Sequence, residues 1–176
     1  HWLTEYHFDG FRLDAVFALV DESPKHFLKE LVEVVANVPG LPRLLIAEDP
    51  RNLRDLALPA AQGGYGLHGI WADDFHHQVR VGLAGDQHAY YRDFDGTPAD
   101  IAKTLEQGWF FTGQHSPNQG EARGTPTGGL NPENFVICIQ NHDQVGNRPR
   151  GDRLSDEIPL SAYRASLVNL YGTTQD

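Results

Sequence analysis

Short apolar runs alternate with helix-periodic stretches in the first half of the chain. Residues 8–13 and the wholly apolar run 44–47 predict two strands, and the second has no polar face. A strand that is apolar on both faces is typical of a parallel sheet covered by helices. Between the two strands, residues 27–38 carry apolar side chains at helical spacing, and Ser23 is a candidate helix cap. The pattern therefore predicts a strand–helix–strand unit.

The same alternation continues in the second half of the chain. Residues 70–72 and 135–139 predict two further strands, and residues 97–107 and 158–171 predict helices. Residues 108–133 are rich in Gly, Pro, Asn and Thr and are predicted to form a long loop. Four apolar strands joined largely by helices predict the α/β class with a parallel sheet.

Polar side chains follow every predicted strand, at the point where the apolar run stops. In parallel α/β barrels the carboxyl ends of the strands surround a single active-site mouth, so we expect these side chains to converge. Because side chains alternate along a strand, Arg12 and Asp14 are predicted to share a face. The full set is Arg12, Asp14, Glu48, Asp49, Asp73, Asp74, His76, His77, Asn141, His142 and Asp143.

Convergent carboxylates suit acid–base and nucleophilic cleavage of a glycosidic bond. Arg12 favours the ionised form of Asp14, which makes Asp14 the candidate nucleophile. Glu48 follows four apolar residues, and a buried carboxyl group favours its protonated form, which suits a general acid. Asp143 is a candidate third anion that stabilises positive charge in the transition state. A structural ion pair between Arg12 and Asp14 is the alternative interpretation.

Metal binding is the other chemistry that clustered carboxylates allow, and the neighbours His76 and His77 are the candidate zinc ligands. Adjacent residues rarely point in one direction, however, and no His-x-x-x-His pair accompanies them in the sequence. We therefore expect neither a metal nor a cofactor.

Composition narrows the range of partners. The 14 Lys and Arg residues against 24 Asp and Glu residues give a net charge of −10, which disfavours nucleic acid or an anionic membrane as the partner. A neutral partner such as a sugar is not disfavoured. No apolar run approaches the length of a membrane span, and no signal peptide is visible in residues 1–176. We expect a cytoplasmic location. The single cysteine, Cys138, cannot form an internal disulfide.

Three motifs taken together resemble the α-amylase superfamily of glycoside hydrolases. Residues 10–16 (GFRLDAV) are similar to its nucleophile motif on the fourth barrel strand, and residues 45–49 (LIAED) to its acid/base motif on the fifth. Residues 140–147 (QNHDQVGN) are similar to the motif on the seventh strand that carries a stabilising aspartate. All three occur in the order that the superfamily has, and each follows an apolar strand.

The resemblance implies a retaining hydrolase in which Asp14 is the nucleophile, Glu48 the general acid/base and Asp143 the transition-state stabiliser. Residues 70–77 and 138–149 are most similar to the branch that cleaves the α-1,4 bond next to the terminal trehalose of maltooligosyl trehalose, releasing trehalose. Glucan-branching transferases and α-amylases of the same superfamily are alternatives, as is a non-catalytic carbohydrate-binding relative.

The resemblance also implies substrate contacts in three stretches of the chain. One of them departs from the usual pattern, because Phe17 stands where the superfamily usually has His or a polar sugar contact. A phenyl ring stacks on a sugar face but does not donate a hydrogen bond. The implied contacts are Arg12, Leu13, Ala15, Val16, Phe17, Asp73, Asp74, Phe75, His76, His77, His142, Gln144, Val145, Gly146 and Asn147.

The resemblance covers residues 1–176 as part of a catalytic domain. It implies a partial (β/α)8 TIM barrel, roughly strands four to seven with their helices, without the first three strands, the last strand and the C-terminal β-domain. A barrel segment leaves open sheet edges and an uncovered interior. We therefore expect residues 1–176 on their own to be inactive.

Two other stretches receive structural interpretations. The aromatic run 109–111 is predicted to pack in the core. The charges at Asp152, Arg153, Asp156 and Glu157 are predicted to lie in a solvated loop.

Overall fold

The computed structural model describes residues 1–172, which divide into two compact units. The first unit comprises His1–Trp71 and Gly124–Val136, and the second comprises Ala72–Arg123 and the residues from Ile137 onward. The strands are β1 Gly10–Leu13, β2 Leu44–Ala47, β3 Gly69–Trp71, β4 Thr112–Ser116, β5 Glu121–Gly124 and β6 Phe135–Val136. The α-helices are α1 Phe27–Ala36, α2 Asp74–Ala84, α3 Pro98–Gln107, α4 His142–Gly146, α5 Leu154–Glu157 and α6 Leu160–Gly172.

A four-stranded sheet forms the centre of the first unit. Its strands lie in the order β1-β2-β3-β6, and each neighbouring pair is parallel. Leu45 and Ala47 of β2 and Ile70 of β3 are completely buried, whereas Leu44 of β2 is 49% exposed. The burial that an apolar strand predicts is therefore complete on only one face of β2. The four predicted strands and their parallel arrangement are therefore confirmed.

Helix α1 is confirmed, but its predicted cap is wrong. The helix begins at Phe27, and the Nδ1 atom of His26 accepts the backbone N–H of Leu28 at 3.2 Å. Ser23 instead donates its backbone N–H to Asp21, whose carboxylate also accepts the N–H of Phe27. The hydrogen bonds from Ser23, followed by that from Phe27, lower the pKa of Asp21 to about 2. The carboxylate of Asp21, six residues before the first helical residue, therefore accepts the N–H that the predicted Ser23 cap does not.

Buried apolar side chains form two clusters in the second unit. One joins α2 to α5 through Phe75, Val79 and Leu154. The other includes Phe94 and Phe111. Trp109 is also fully buried. The predicted core packing of the aromatic run 109–111 is therefore confirmed for Trp109 and Phe111. None of the helices in residues 1–172 has the length and apolarity needed to span a membrane.

The predicted loop 108–133 is wrong over part of its length, because β4 and β5 form a two-stranded sheet there. The four intervening residues read Pro-Asn-Gln-Gly, which is turn chemistry suited to a hairpin. Asp93 fixes this turn by accepting the hydroxyl of Ser116 and the backbone N–H of Asn118, both at 2.7 Å. The loop-like composition of residues 108–133 therefore did not reveal the hairpin, which depends on contacts with Asp93, earlier in the chain.

The last strand of the parallel sheet is shorter than predicted. It ends at Val136, which pairs with Trp71, the final residue of β3. Because β3 ends there, residues 137–139 have no continuing strand to pair with in that register. Ile139 is buried instead in the core of the second unit, beside Phe75.

Gly10 marks a close approach between the first two strands. A Cβ atom at this position would lie 2.1 Å from the backbone oxygen of Leu44. We expect Gly10→Ala to destabilise the full-length protein by about 1–3 kcal/mol, since the strands must separate to admit the methyl group. Urea unfolding checks this. Gly128→Ala is the control, because its added methyl group would meet no other atom within 4 Å, and an equal loss in both variants would contradict the prediction.

Candidate active site

The candidate nucleophile and acid follow adjacent strands at the same end of the sheet. The register pairs Leu13 with Ala47, and Asp14 and Glu48 are the next residue on each strand. The backbone N–H of Glu48 donates to the carbonyl of Leu13 at 2.9 Å, which continues the ladder to the edge of the site. The predicted convergence of these two carboxyl groups follows directly from this pairing.

Arg12 links the two carboxylates. Its Nη1 atom donates to Oδ1 of Asp14, and its Nη2 atom lies 3.9 Å from Oε2 of Glu48. The guanidinium group also lies over the indole of Trp71, 4.2 Å from the ring centroid. The predicted same-face placement of Arg12 and Asp14 is therefore confirmed.

The turn after β1 is built around the side chain and backbone of Glu48. Ala15 donates its backbone N–H to Oε2 of Glu48, and Val16 donates its own to the backbone oxygen of Glu48 at 3.1 Å. Ala15 reaches this geometry in the left-handed region, with φ 45° and ψ 49°. That conformation is unfavourable for a residue with a Cβ atom, and it persists here because Glu48 accepts both N–H groups.

Burial distinguishes the two carboxyl side chains. The Asp14 side chain is 78% exposed and the Glu48 side chain 17%. The exposed Asp14 carboxylate is accessible to a substrate, and its Oδ1 atom is fixed by the hydrogen bond from Arg12. A mostly buried carboxyl group whose Oε2 atom is already hydrogen-bonded has its other oxygen, Oε1, available for proton transfer.

The neighbouring carboxylate, Asp49, has a structural role in this geometry. Its side chain is completely buried and accepts a two-pronged contact from Arg51, with Nη2 to Oδ2 at 2.6 Å and Nε to Oδ1 at 2.9 Å. The hydrogen bonds to Asp49 raise the pKa of Arg51 above its usual value. Asp49 therefore stabilises the chain just after the candidate acid.

The other predicted contacts on this turn differ in accessibility. Leu13 is half-buried within β1, and Val16 is almost completely buried. Phe17 is 45% exposed, on a single 3-10 turn formed by Val16–Ala18. A sugar therefore has access to Phe17, whereas the buried Val16 packs inside the protein and supports the turn.

Asp74 lies in the second unit and is an internal ion-pair partner. It is completely buried, and its Oδ1 atom accepts Nη2 of Arg123 at 2.7 Å. Its Oδ2 atom accepts the backbone N–H groups of Phe110 and Phe111 at 2.8 and 3.1 Å. The predicted substrate contact by this side chain is therefore not supported, because both of its oxygens hold the chain that leads into the hairpin.

Phe75 and Asp73 flank Asp74 and lie in different environments. Phe75 is completely buried in the apolar core, so a sugar does not reach its ring, and its predicted contact is not supported either. The Asp73 side chain is 17% exposed. Burial, together with the negative charge of Asp73, raises the pKa of the Cys138 thiol to about 12, so this cysteine stays protonated.

The two adjacent histidines are both buried. His76 has Nε2 at 3.5 Å from Oδ1 of Asp73. His77 packs against the rings of Tyr90, Tyr91 and Phe94, with centroids 4.6 to 5.4 Å apart. Within residues 1–172, no cluster of three or more His, Cys, Asp or Glu side chains is suited to hold a metal.

Helix α4 carries the third candidate carboxylate. Asn141 caps it by accepting the N–H of Asp143 at 2.8 Å, and Gln144 returns a hydrogen bond by accepting the N–H of Asn141 at 2.6 Å. The Asp143 side chain is 46% exposed, and His142, 69% exposed, has Nε2 at 3.6 Å from its Oδ1 atom. Both groups are thus presented to solvent by a short, well-capped helix.

The remaining predicted substrate contacts, on α4 and just after it, differ in their exposure to solvent. Gln144 is buried and acts in the cap, while Val145 is half-buried. Gly146 and Asn147 are exposed. Asp143 and α4 belong to the second unit and Asp14 and Glu48 to the first, and the convergence of all three carboxylates stays a prediction.

Arginine partners were missing from the sequence-based site. Arg123 pairs with Asp74 across 49 positions, and Arg148 pairs with Asp152 and Glu157. Asp152 lies in a loop, as predicted, whereas Glu157 lies on α5, so the prediction of a loop charge is wrong for Glu157. The i,i+4 spacing of Arg148 and Asp152 is a local signal for that pair. No local spacing rule finds the Asp74–Arg123 pair, since only the fold brings those two residues together.

No protein-family model matches the chain. Its fold does match a solved structure, that of a protein provisionally named alpha amylase from Salmonella typhimurium. The TM-score is 0.88 at 40% sequence identity, covering 96% of this chain and 30% of that one. The predicted α/β class and partial (β/α)8 barrel are confirmed by this similarity.

The chain is also similar in sequence to proteins named malto-oligosyltrehalose trehalohydrolase. It is 46% identical to the protein of that name from Deinococcus radiodurans over 98% of this chain. It is 39% identical to the one from Saccharolobus solfataricus over 93% of this chain. The chain spans 28% of the length of each of these curated relatives.

The buried Asp74–Arg123 pair predicts a large loss of stability on removal of one charge. We expect Asp74→Asn to destabilise the full-length protein by about 3–5 kcal/mol, because the buried Arg123 loses its closest counter-charge and keeps the more distant carboxylate of Asp93, 3.9 Å from its Nη1 atom. The control is Asp55→Asn, whose carboxylate pairs with Arg54 at the surface and is 64% exposed; its removal costs about 0–1 kcal/mol. Urea unfolding measures both changes, and similar losses in the two variants would count against a structural role for Asp74.

His77 predicts acid sensitivity. Burial, with the nearby His76 and Arg123, holds the pKa of His77 well below 6.5. Unfolding lets this side chain take up a proton, so stability is full above pH 6.5 and falls below it, by up to about 1.4 kcal/mol per pH unit.

We expect His77→Phe to reduce the slope of unfolding free energy against pH between pH 6.5 and 5. His115→Phe, at an exposed position of β4, is the control and keeps the slope. Urea titrations at several pH values give both slopes. An unchanged slope in His77→Phe would mean that another group causes the acid sensitivity.

Proposed function

We propose that the full-length protein is a retaining glycoside hydrolase that cleaves the α-1,4 bond next to the terminal trehalose of maltooligosyl trehalose and releases trehalose. The observation that carries the proposal is the Arg12 guanidinium, which contacts the Asp14 carboxylate and approaches Glu48 at the ends of adjacent parallel strands. Similarity to malto-oligosyltrehalose trehalohydrolases over nearly the whole chain supports the choice of substrate.

In the first step, Asp14 attacks the anomeric carbon of the glucose unit that precedes trehalose. Glu48 donates its proton to the glycosidic oxygen, so the bond breaks and trehalose leaves with a neutral hydroxyl group. The product on the enzyme is a glycosyl ester of Asp14. The hydrogen bond from Arg12 orients the Asp14 carboxylate for the attack, and the exposure of that carboxylate gives the sugar access to it.

In the second step, Glu48 removes a proton from water, and the water oxygen displaces the Asp14 ester from the anomeric carbon. The maltooligosaccharide leaves with its original α configuration, and both carboxyl groups return to their starting states. The N–H of Ala15 holds Oε2 of Glu48 throughout, so Oε1 is the atom we assign to the proton.

Asp143 is proposed to stabilise the oxocarbenium-like charge that develops in both steps. Its half-exposed side chain on α4 supports this role, as does the neighbouring exposed His142. Phe17 is proposed to stack on a sugar ring. Asp74 and Phe75 are proposed instead to support the fold of this part of the chain, because neither is accessible.

The remaining proposals concern the whole protein. Residues 1–176 are proposed to be one segment of its catalytic barrel and to be inactive when isolated. We further propose that the reaction needs no metal and no cofactor, and that the protein acts in the cytoplasm on a neutral α-glucan.

Substrate preference tests the proposed reaction. The full-length protein is incubated with maltotriosyl trehalose and, separately, with maltopentaose, and the products are resolved by chromatography. We expect free trehalose from the first substrate and little cleavage of the second. Preferential cleavage of maltopentaose, or the formation of branched products, would replace this function with that of an amylase or a branching transferase.

Carboxyl variants test the assigned roles. Asp14→Asn and Glu48→Gln are each expected to lower kcat by about 10²–10⁴-fold or more, since each removes a group that acts in the transition state. Glu22→Gln, at an exposed position, is the control and retains activity. NMR of the fresh product is expected to show the α anomer first. Near-normal hydrolysis by Glu48→Gln would exclude Glu48 as the acid/base.

A further inference from the structure

Helix α4 is too short to be stable through its own hydrogen bonds. It has five residues, and isolated helices of fewer than about 12 residues are marginal in water. Gln144 is its one buried side chain among those described, and that side chain is used in the cap. The position of Asp143 therefore depends on what anchors the two ends of the helix.

The beginning of α4 is anchored by side-chain amides. Asn141 and Gln144 form the reciprocal cap. One residue earlier, Oε1 of Gln140 accepts the backbone N–H of Leu154 at 2.9 Å, and Leu154 is fully buried at the start of α5. These contacts fix the N-terminal end of α4 against α5.

The other end of α4 leads directly into Arg148. The N–H of Asn147 donates to the carbonyl of Asp143 at 2.9 Å, and the N–H of Arg148 donates to the carbonyl of Val145 at 3.2 Å. The backbone of Arg148 thus completes the last turn of the helix. Wherever the Arg148 side chain is held, the C-terminal end of α4 is held with it.

The Arg148 guanidinium is held in a closed ring of alternating charges. Nη1 lies 3.3 Å from Oδ2 of Asp86, and Nη2 donates to Oε1 of Glu157. The same two carboxylates accept from Arg80, which contacts Oδ2 of Asp86 through Nε and Oε2 of Glu157 through Nη2, the latter at 2.8 Å. We call Arg80, Asp86, Arg148 and Glu157 the charge ring.

The charge ring is rigid because each member has two partners and Arg80 is buried. The Arg80 side chain is 3% exposed, Asp86 12% and Arg148 19%. Low exposure weakens solvent screening of the ion pairs. Arg80 lies on α2 and Glu157 on α5. The charge ring therefore connects the C-terminal end of α4 to both of these helices. Asp152 adds a further contact to Nε of Arg148.

We propose that Arg148 is a positioning residue for Asp143. Through the charge ring, Arg148 fixes the C-terminal end of α4. It thereby fixes the position of the Asp143 carboxylate relative to the rest of the second unit. This inference rests on the proposed function, in which Asp143 stabilises transition-state charge. A shift of about 1 Å in such a group is able to cost on the order of 10²-fold in rate.

The first test compares Arg148→Met with the control Arg150→Met in the full-length protein. Arg150 is exposed, lies two residues away, and is outside the charge ring. We expect Arg148→Met to lower kcat for maltotriosyl trehalose by about 10–10²-fold with KM changed by less than about threefold, since a transition-state interaction is lost. Arg150→Met is expected to match the unsubstituted protein. Unchanged kcat in Arg148→Met would overturn the inference.

The second test separates positioning from a general structural effect. Arg148→Met is introduced into an Asp143→Asn background, where the carboxylate to be positioned is already absent. We expect the second substitution to lower the residual kcat by less than about threefold, so that the two effects are strongly non-additive. A further loss as large as in the unsubstituted background would show that Arg148 acts independently of Asp143 and would overturn the inference.

Conservative variants keep the test decisive if Arg148→Met does not fold. Glu157→Gln preserves side-chain shape while removing one charge of the ring, and Arg148→Lys preserves charge while losing the paired contacts. Both are expected to lower kcat in the same direction, by smaller factors. Normal kcat in both, with unfolding midpoints close to that of the unsubstituted protein, would overturn the inference.

The inference and the proposed function fail in distinguishable ways. If the unsubstituted protein cleaves maltopentaose in preference to maltotriosyl trehalose, the proposed substrate is wrong. The same pair of backgrounds is then measured with maltopentaose, and non-additivity still reports whether Arg148 positions Asp143. If Asp143→Asn itself leaves kcat unchanged, the role of Asp143 fails, and the inference fails with it.

Discussion

The parallel register between β1 and β2 is the constraint on which the candidate site depends. With Leu13 opposite Ala47, Asp14 and Glu48 emerge side by side. Arg12 lies two residues before Asp14 on the same face, where it contacts Asp14 and approaches Glu48. A slip of one residue turns an entire set of side chains to the opposite face of a sheet. The close approach at Gly10 opposes such a slip, since only a residue without a Cβ atom fits against Leu44 there. The chemistry at one end of the strand thus depends on steric exclusion at the other.

The second unit uses its charges mainly for internal structure. Asp74 is completely buried and holds the chain at Phe110 and Phe111, although its sequence context resembles a sugar-binding stretch. An ion pair that is completely buried, such as Asp74–Arg123, contributes little net stability. It does make the arrangement of the chain around it specific, because any other arrangement leaves a buried charge unpaired. The motif residues of this unit divide into an accessible group, with His142 and Asp143, and a buried group, with Asp74 and Phe75.

Much of this organisation was predictable from sequence, because strands and their polar ends obey short-range rules. Apolar runs located β1, β2 and β3, and the same-face rule located the contact between Arg12 and Asp14. Prediction failed where partners are distant in sequence. The hairpin depends on Asp93, and the buried charge of Asp74 depends on Arg123. Each of these contacts exists only after the chain has folded, so local propensity carries no trace of it.

The left-handed conformation of Ala15 limits which positions near the candidate nucleophile are able to diversify. A β-branched or bulky residue at position 15 would strain the backbone and withdraw the N–H that Glu48 accepts, whereas glycine or asparagine tolerates the conformation. Two residues later, Phe17 projects into solvent with no such restriction. Mutant libraries intended to alter sugar preference therefore gain usable variety at position 17 and lose nearly all of it at position 15.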